Sequence, residues 1–282
     1  MSSNTFKTYV LLAGLGGLLI LGGRLLFGGA GALIGLLIGL VFVGGSYWFS
    51  DKIAVKAARA QPVTEAQAPQ LYRMVRQLTT AANMPMPKLY VTPDMQPNAF
   101  ATGRNEHHAA VAVTQGIMQI LSEDELRGVL AHELAHVRNK DILIGSVAAA
   151  IAMGITFLAR MVMWGAMFGG GRDDEGGNPF GMLAMALLAP IAAALLQMAV
   201  SRSREYEADR SGAALAGGSE SLARALEKLH AGTKRIPMNV HPAQASMYIV
   251  NPLSGRRANF AALFSTHPPI EERIRRLRDW RP

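Results

Sequence analysis

His132, Glu133 and His136 form an H-E-x-x-H pattern inside the run Ser122–Asp141. A helix turns about 100° per residue, so residues four apart stand one above the other on one face. Two imidazoles so placed can share one tetrahedral zinc ion, and Glu133, beside the first, can reach a water on the same metal. A catalytic zinc usually takes a third protein ligand and keeps one open position. Glu205 and Asp209, in the stretch Ser201–Asp209, are also four residues apart. On a helix they share a face from which Glu207 points away, so Glu205 can bind the metal while Asp209 accepts a hydrogen bond from a ligand histidine. Each pattern has a plainer explanation. The first could be an amphipathic helix that happens to carry two histidines; the second could be a salt-bridged helix start with Arg202, Arg204 and Arg210 as partners. Together in one chain, they favour the metal.

The chemistry open to such a site is hydrolysis. The metal polarises a carbonyl and brings a water's pKa towards about 7. Glu133 takes the water's proton as general base and passes it to the leaving amine. The tetrahedral intermediate carries negative charge, so a cationic or donating group nearby is valuable.

Composition restricts what can hold these groups. The chain of 282 residues is 50% hydrophobic and only 17% charged, with a mean hydropathy of +0.19. That is apolar enough to imply a membrane protein with a polar part. Cysteine is absent, which excludes disulfides and thiolate ligands and leaves His, Asp and Glu to hold any metal. The formal charge of +8 suits basic loops near anionic lipid. No nucleic-acid module is present, so nucleic acid is not an expected partner.

Residues 9–23 and 25–49 are two apolar runs split by Arg24. Lys7 and Ala30-Gly31-Ala32 would suit a cleaved signal peptide, but a second apolar stretch follows at once, so a retained hairpin is expected. Runs at 142–168 and 179–200 are the third and fourth candidate spans. The organisation predicted is a transmembrane hairpin over 1–50, a polar half-domain over 51–141, a second hairpin over 142–200 and a second polar half-domain over 201–282. Nearly all Lys and Arg lie in the polar segments, which places both of them and both termini in the cytoplasm.

Within the first polar segment, Leu71, Met74, Val75 and Leu78 predict an amphipathic helix around 64–83. Lys88–Thr92 and Ala109–Thr114 predict strands, with turns at Pro93-Asp94 and Asn105-Glu106. Ser122 and Glu125 form a capping box that starts the helix carrying the histidines. Its polar close, Arg138-Asn139-Lys140-Asp141, sets the site near the membrane surface but outside the hydrocarbon. Of the other histidines, His107-His108 is read as a surface turn, His230 as the end of an amphipathic helix, and His241 as loop.

The order of apolar runs, the motif His132–His136, the segment Ser201–Asp209 and a late Thr266-His267-Pro268-Pro269 resemble the HtpX-type heat-shock membrane zinc peptidases, relatives of the CAAX prenyl endopeptidases. The resemblance covers nearly the whole chain. It implies a mainly α integral membrane protein of four transmembrane helices with a cytoplasmic α+β zincin-like (gluzincin) domain built from two chain segments. It further implies one Zn2+ per chain, held by His132, His136 and Glu205, with Glu133 catalytic. By the same resemblance His267 and Arg273 lie near the metal and steady the oxyanion, and Asn98, Ala99 and Phe100 belong to the substrate-binding edge strand. The implied setting is a bacterial inner membrane, and the implied partners are the lipid bilayer and polypeptides, misfolded membrane proteins among them, in a stress response. Self-association into a homo-oligomer stays open. Two alternatives remain: a chaperone-like membrane scaffold with a structural zinc, and a CAAX prenyl-protein endopeptidase.

Overall fold

The computed structural model describes residues 48–139, 202–236, 247–251 and 268–281, with isolated positions in 9–45 and 141–147. The four apolar runs fall almost wholly outside these, as do His267 and His241. Among the described residues, no helix is long and apolar enough to cross a membrane.

Among the described residues, four strands form one sheet: β1 (Gln61–Pro62), β2 (Lys88–Thr92), β3 (Ala99–Gly103) and β4 (Ala109–Thr114). Their order is β1-β2-β4-β3, with β2 parallel to β4 and the outer pairs antiparallel. β2 and β4 have the predicted bounds. β3 has no alternating pattern to announce it, because all five of its residues are buried. Gly103 ends it at φ 137°, where any side chain would run into the His108 carbonyl. His107 and His108 lie in an exposed 3-10 turn, as expected.

The alternation of strand side chains sorts the sheet into two faces. Leu89, Val111, Val113, Ala99 and Ala101 point into the main core, and Phe100 and Ala112 pack with Ala54, Ala58 and Tyr248 on the other side. Among the described residues, the helices that pack with the sheet include α1 (Pro69–Ala81), α2 (Gln115–Ile120), α3 (Glu123–Arg138), α4 (Arg202–Ala216), α5 (Glu220–Arg235) and α6 (Ile270–Asp279). α1 is shorter than the 64–83 expected. It starts at Pro69, whose missing N–H costs nothing at a first helical position, and Asn83 turns left-handed at φ 53° just past its end.

α3 is the axis of the domain. Ser122 accepts from the Glu125 backbone N–H at 3.3 Å, and the Ser122 N–H donates to the Glu125 carboxylate at 2.8 Å, closing the predicted capping box. Lys228 of α5 donates to the same carboxylate at 2.7 Å. Every residue from Gly128 to Ala135 is buried, because α1, α4, α5 and β3 all pack on this helix. Two glycines permit the closest approaches. A Cβ on Gly128 would sit 2.8 Å from the Leu222 backbone nitrogen, and one on Gly212 of α4 would sit 2.8 Å from the His132 Cα. The second contact is what lets α4 lie directly against the histidine motif. The described helices of the two polar segments therefore pack against one another.

Candidate active site

His132, Glu133 and His136 come from the buried middle and last turn of α3, and Glu205 and Asp209 from the first turns of α4. The four-residue spacing on each helix turns the two faces towards one another. Ligand atoms of His132, His136 and Glu205 all lie within 4.8 Å of each other. The two Nε2 atoms are 3.2 Å apart, and Glu205 lies 3.5 Å from His136 Nε2 and 3.9 Å from His132 Nε2. Glu207 is exposed and pairs with Arg210 at 2.8 Å.

The outward nitrogens are held as well. His132 Nδ1 is 3.0 Å from Asp209 and His136 Nδ1 is 3.1 Å from Asp141. Carboxylates there accept from Nδ1–H and favour the tautomers whose Nε2 atoms face Glu205 as ligands for a metal. Sequence reasoning placed Asp209 but passed over Asp141, which sits in the irregular exit of α3, where helical periodicity gives no direction.

Arg273, on α6, is fully buried. Its Nε and Nη2 donate to the two Asp209 oxygens at 2.8 and 2.6 Å, and its Nη1 donates to the Ile249 carbonyl at 3.0 Å. The guanidinium fork is thus closed on Asp209, and it also approaches the cluster itself, Nη2 lying 3.4 Å from His132 Nε2 and Nη1 3.5 Å from Glu205. Sequence reasoning brought Arg273 to the site but had no means of seeing which group it grips.

Asn98, just before β3, and Ala99 and Phe100, its first residues, are already engaged. Asn98 donates to the Val250 carbonyl at 2.7 Å and accepts from its N–H at 3.2 Å. Ala99 accepts from the Ile249 N–H at 2.9 Å, and Phe100 meets the Tyr248 ring edge-on at 5.1 Å.

The electrostatics are those of a site short of positive charge. Burial pushes the Glu133 carboxyl up, the charge on His136 and an N–H from the Ala101 backbone pull it down, and Glu205 pushes it up again; the outcome is about 7. Burial works against a proton on His136, yet Asp141, Glu205 and Glu133 together raise it to about 10. Burial chiefly keeps His132 neutral. Burial would raise Asp209, but Arg273 and His132 hold it below the usual carboxylate range.

Residues 65–281 match Peptidase family M48. The chain belongs to that family. Among M48-type relatives, the "Protease HtpX homolog" of Syntrophobacter fumaroxidans is 57% identical over 278 residues, covering 97% of this chain and 98% of that one. The protein of the same description from Pelotomaculum thermopropionicum is 53% identical over 277 residues, with the same shares covered. The S. mikatae Ste24p crystal structure aligns at a TM-score of 0.52 and 21% identity over 98% of this chain. The chain spans 65% of that protein's length, and the likeness is one of fold. The M48 chain is therefore a metallopeptidase with a zincin-like domain, its substrates are polypeptides, and His132, His136 and Glu205 could hold its metal.

Proposed function

We propose that this chain is a zinc-dependent endopeptidase of a bacterial inner membrane, built on four spans, that cuts misfolded or damaged proteins, membrane proteins among them, at the cytoplasmic face. The observation that carries the reading is the convergence of His132, His136 and Glu205 within 4.8 Å, with the Glu133 carboxyl buried beside them. Zinc ligands at about 2.0–2.1 Å in a tetrahedron are about 3.3 Å apart, and the donor separations of 3.2, 3.5 and 3.9 Å fit that spacing. A zinc ion there would polarise a scissile carbonyl and acidify a water towards about 7.

The protein's own groups do the rest. Glu133 removes the proton from water and returns it to the departing nitrogen, and the Ala101 N–H holds it in place. Asp209 and Asp141 fix the two imidazoles. β3 is the outer strand of the sheet, so an extended peptide would add along it by backbone pairing. Asn98, Ala99 and Phe100 order the start of that edge, and Ala101 joins it to the base. His267 completes the set as a donor to the oxyanion. The apolar runs of 9–49 and 142–200 support the membrane assignment, and the packing of the described helices of 51–141 against those of 201–282 supports placing both polar segments on one side of the membrane.

Glu205→Ala is the direct test. Full-length protein carrying it should retain far less than one zinc per chain and cleave casein at background rate, while the parent protein binds a hydroxamate that blocks cleavage. A parent with full zinc but no hydroxamate binding would indicate a closed structural site and favour the scaffold alternative.

A pH profile follows from Glu133. As a base it must be ionised, so kcat/KM falls as pH drops through its pKa. Burial sets that point near 7, and a bound cation moves it lower. The acid limb should therefore have its midpoint at or below about 7, and a plateau falling only above neutrality would contradict the role.

A further inference from the structure

We propose that Asp141 is a positioning residue for His136, and that the seat of this metal ligand is set where the chain leaves α3. The inference rests on the peptidase reading only in taking His132, His136 and Glu205 as a metal site. α3 ends at Arg138 with Asn139 as its cap. The chain then folds back so that the Asp141 N–H donates to the His136 carbonyl at 3.2 Å and the Asp141 carboxylate reaches His136 Nδ1 at 3.1 Å. One residue thus grips His136 by backbone and by ring.

The carboxylate's environment fits a strut. Its side chain is 5% exposed, so water does not compete for the histidine proton. Among the described residues its second oxygen, Oδ1, is buried without a hydrogen-bond partner, so the His136 ring is the group this carboxylate is hydrogen-bonded to there. Arg204, in the first turn of α4, carries positive charge felt by both Asp141 and Glu205. A ligand on α4 and the carboxylate at the exit of α3 are in this way referred to one guanidinium. The arrangement parallels Asp209 on His132, but the two struts are held differently. Asp209 is locked by Arg273 within the domain core, whereas Asp141 lies at the junction to the third apolar run. Gly145 N–H donates to the Asp141 carbonyl at 3.3 Å, and Ile142 is buried in the main core. The entry into that run and the orientation of His136 are consequently fixed together.

The test reads metal binding by the full-length protein in detergent, using zinc and a competing fluorescent chelator, on wild type, Asp141→Ala and Asp141→Asn. Losing an outer partner of a ligand histidine typically weakens metal affinity about 10- to 100-fold, and that loss is expected for Asp141→Ala. Asp141→Asn keeps an acceptor oxygen without the charge, so its Kd should lie between the two. Melting of the metal-free proteins separates positioning from bulk stability: the Asn variant should melt with wild type while its zinc affinity drops. Zinc binding by both variants within twofold of wild type overturns the proposal. So does an Asn variant that binds like wild type beside an Ala variant whose loss follows its unfolding. A wild-type chain that takes up no zinc sinks the functional reading, and this one with it; equal binding by the variants sinks this one alone.

Discussion

Glu133→Gln should keep the metal and lose the reaction, with kcat down about 10²- to 10⁴-fold, the usual contribution of a positioned base. The substitution is nearly isosteric, and its amide oxygen can still accept from the Ala101 N–H that holds the native carboxylate. Burial already disfavours charge at this position, so a neutral side chain does not threaten the fold. His132, His136 and Glu205 are untouched. What disappears is the ability to take a proton and return it. Zinc content near that of the wild type, together with cleavage of casein or of a membrane-protein substrate at background, is the expected pair of measurements. Cleavage close to the wild-type rate would remove Glu133 from the mechanism.

Arg273→Ala should damage stability before it damages chemistry. Its guanidinium is fully buried and closes on both oxygens of Asp209. Taking one partner out of a buried ion pair leaves the other charge uncompensated, at a cost of about 3–5 kcal/mol. Asp209 would then be driven towards its neutral form and release His132, so metal affinity should fall alongside the melting temperature. Arg273→Lys should not restore either property, because a single ammonium cannot span both carboxylate oxygens and also donate to Ile249. A role confined to the oxyanion predicts the opposite pattern: an Ala variant that melts with wild type and loses only kcat, by about 10²–10³. Denaturation and zinc titration of the same three proteins separate the two.

The elements that were legible in advance are those whose cause is local. Ser122 and Glu125 announce a helix start because the partners are three residues apart, and the hydrogen bonds are the ones expected. His132 with His136, and Glu205 with Asp209, reveal a shared face because helical geometry alone brings residues four apart together. Lys88–Thr92 and Ala109–Thr114 stand out by β-branched content. β3 does not stand out by its pattern, and only the family resemblance pointed to an edge strand there. Its Ala-Phe-Ala-Thr-Gly is buried on both faces, so it lacks the polar alternation that marks a half-exposed strand. The same limit hid the link from Asn98 to Val250, 152 residues apart, and from Arg273 to Asp209, 64 apart.

By itself, then, the sequence determined the chemistry available: two imidazoles and a carboxylate base on one helix, a pair of carboxylates on another, no thiol to compete, and apolar runs on either side. Which groups support which ligand was decided only by tertiary structure. Gly212 lets α4 close on His132, the exit of α3 carries Asp141 back to His136, and α6 buries Arg273 against Asp209. The reason is physical. A ligand's type and spacing are local properties of a helix, but the tautomer and aim of an imidazole are set by whatever packs against its other nitrogen, and that partner arrives from wherever the fold brings it.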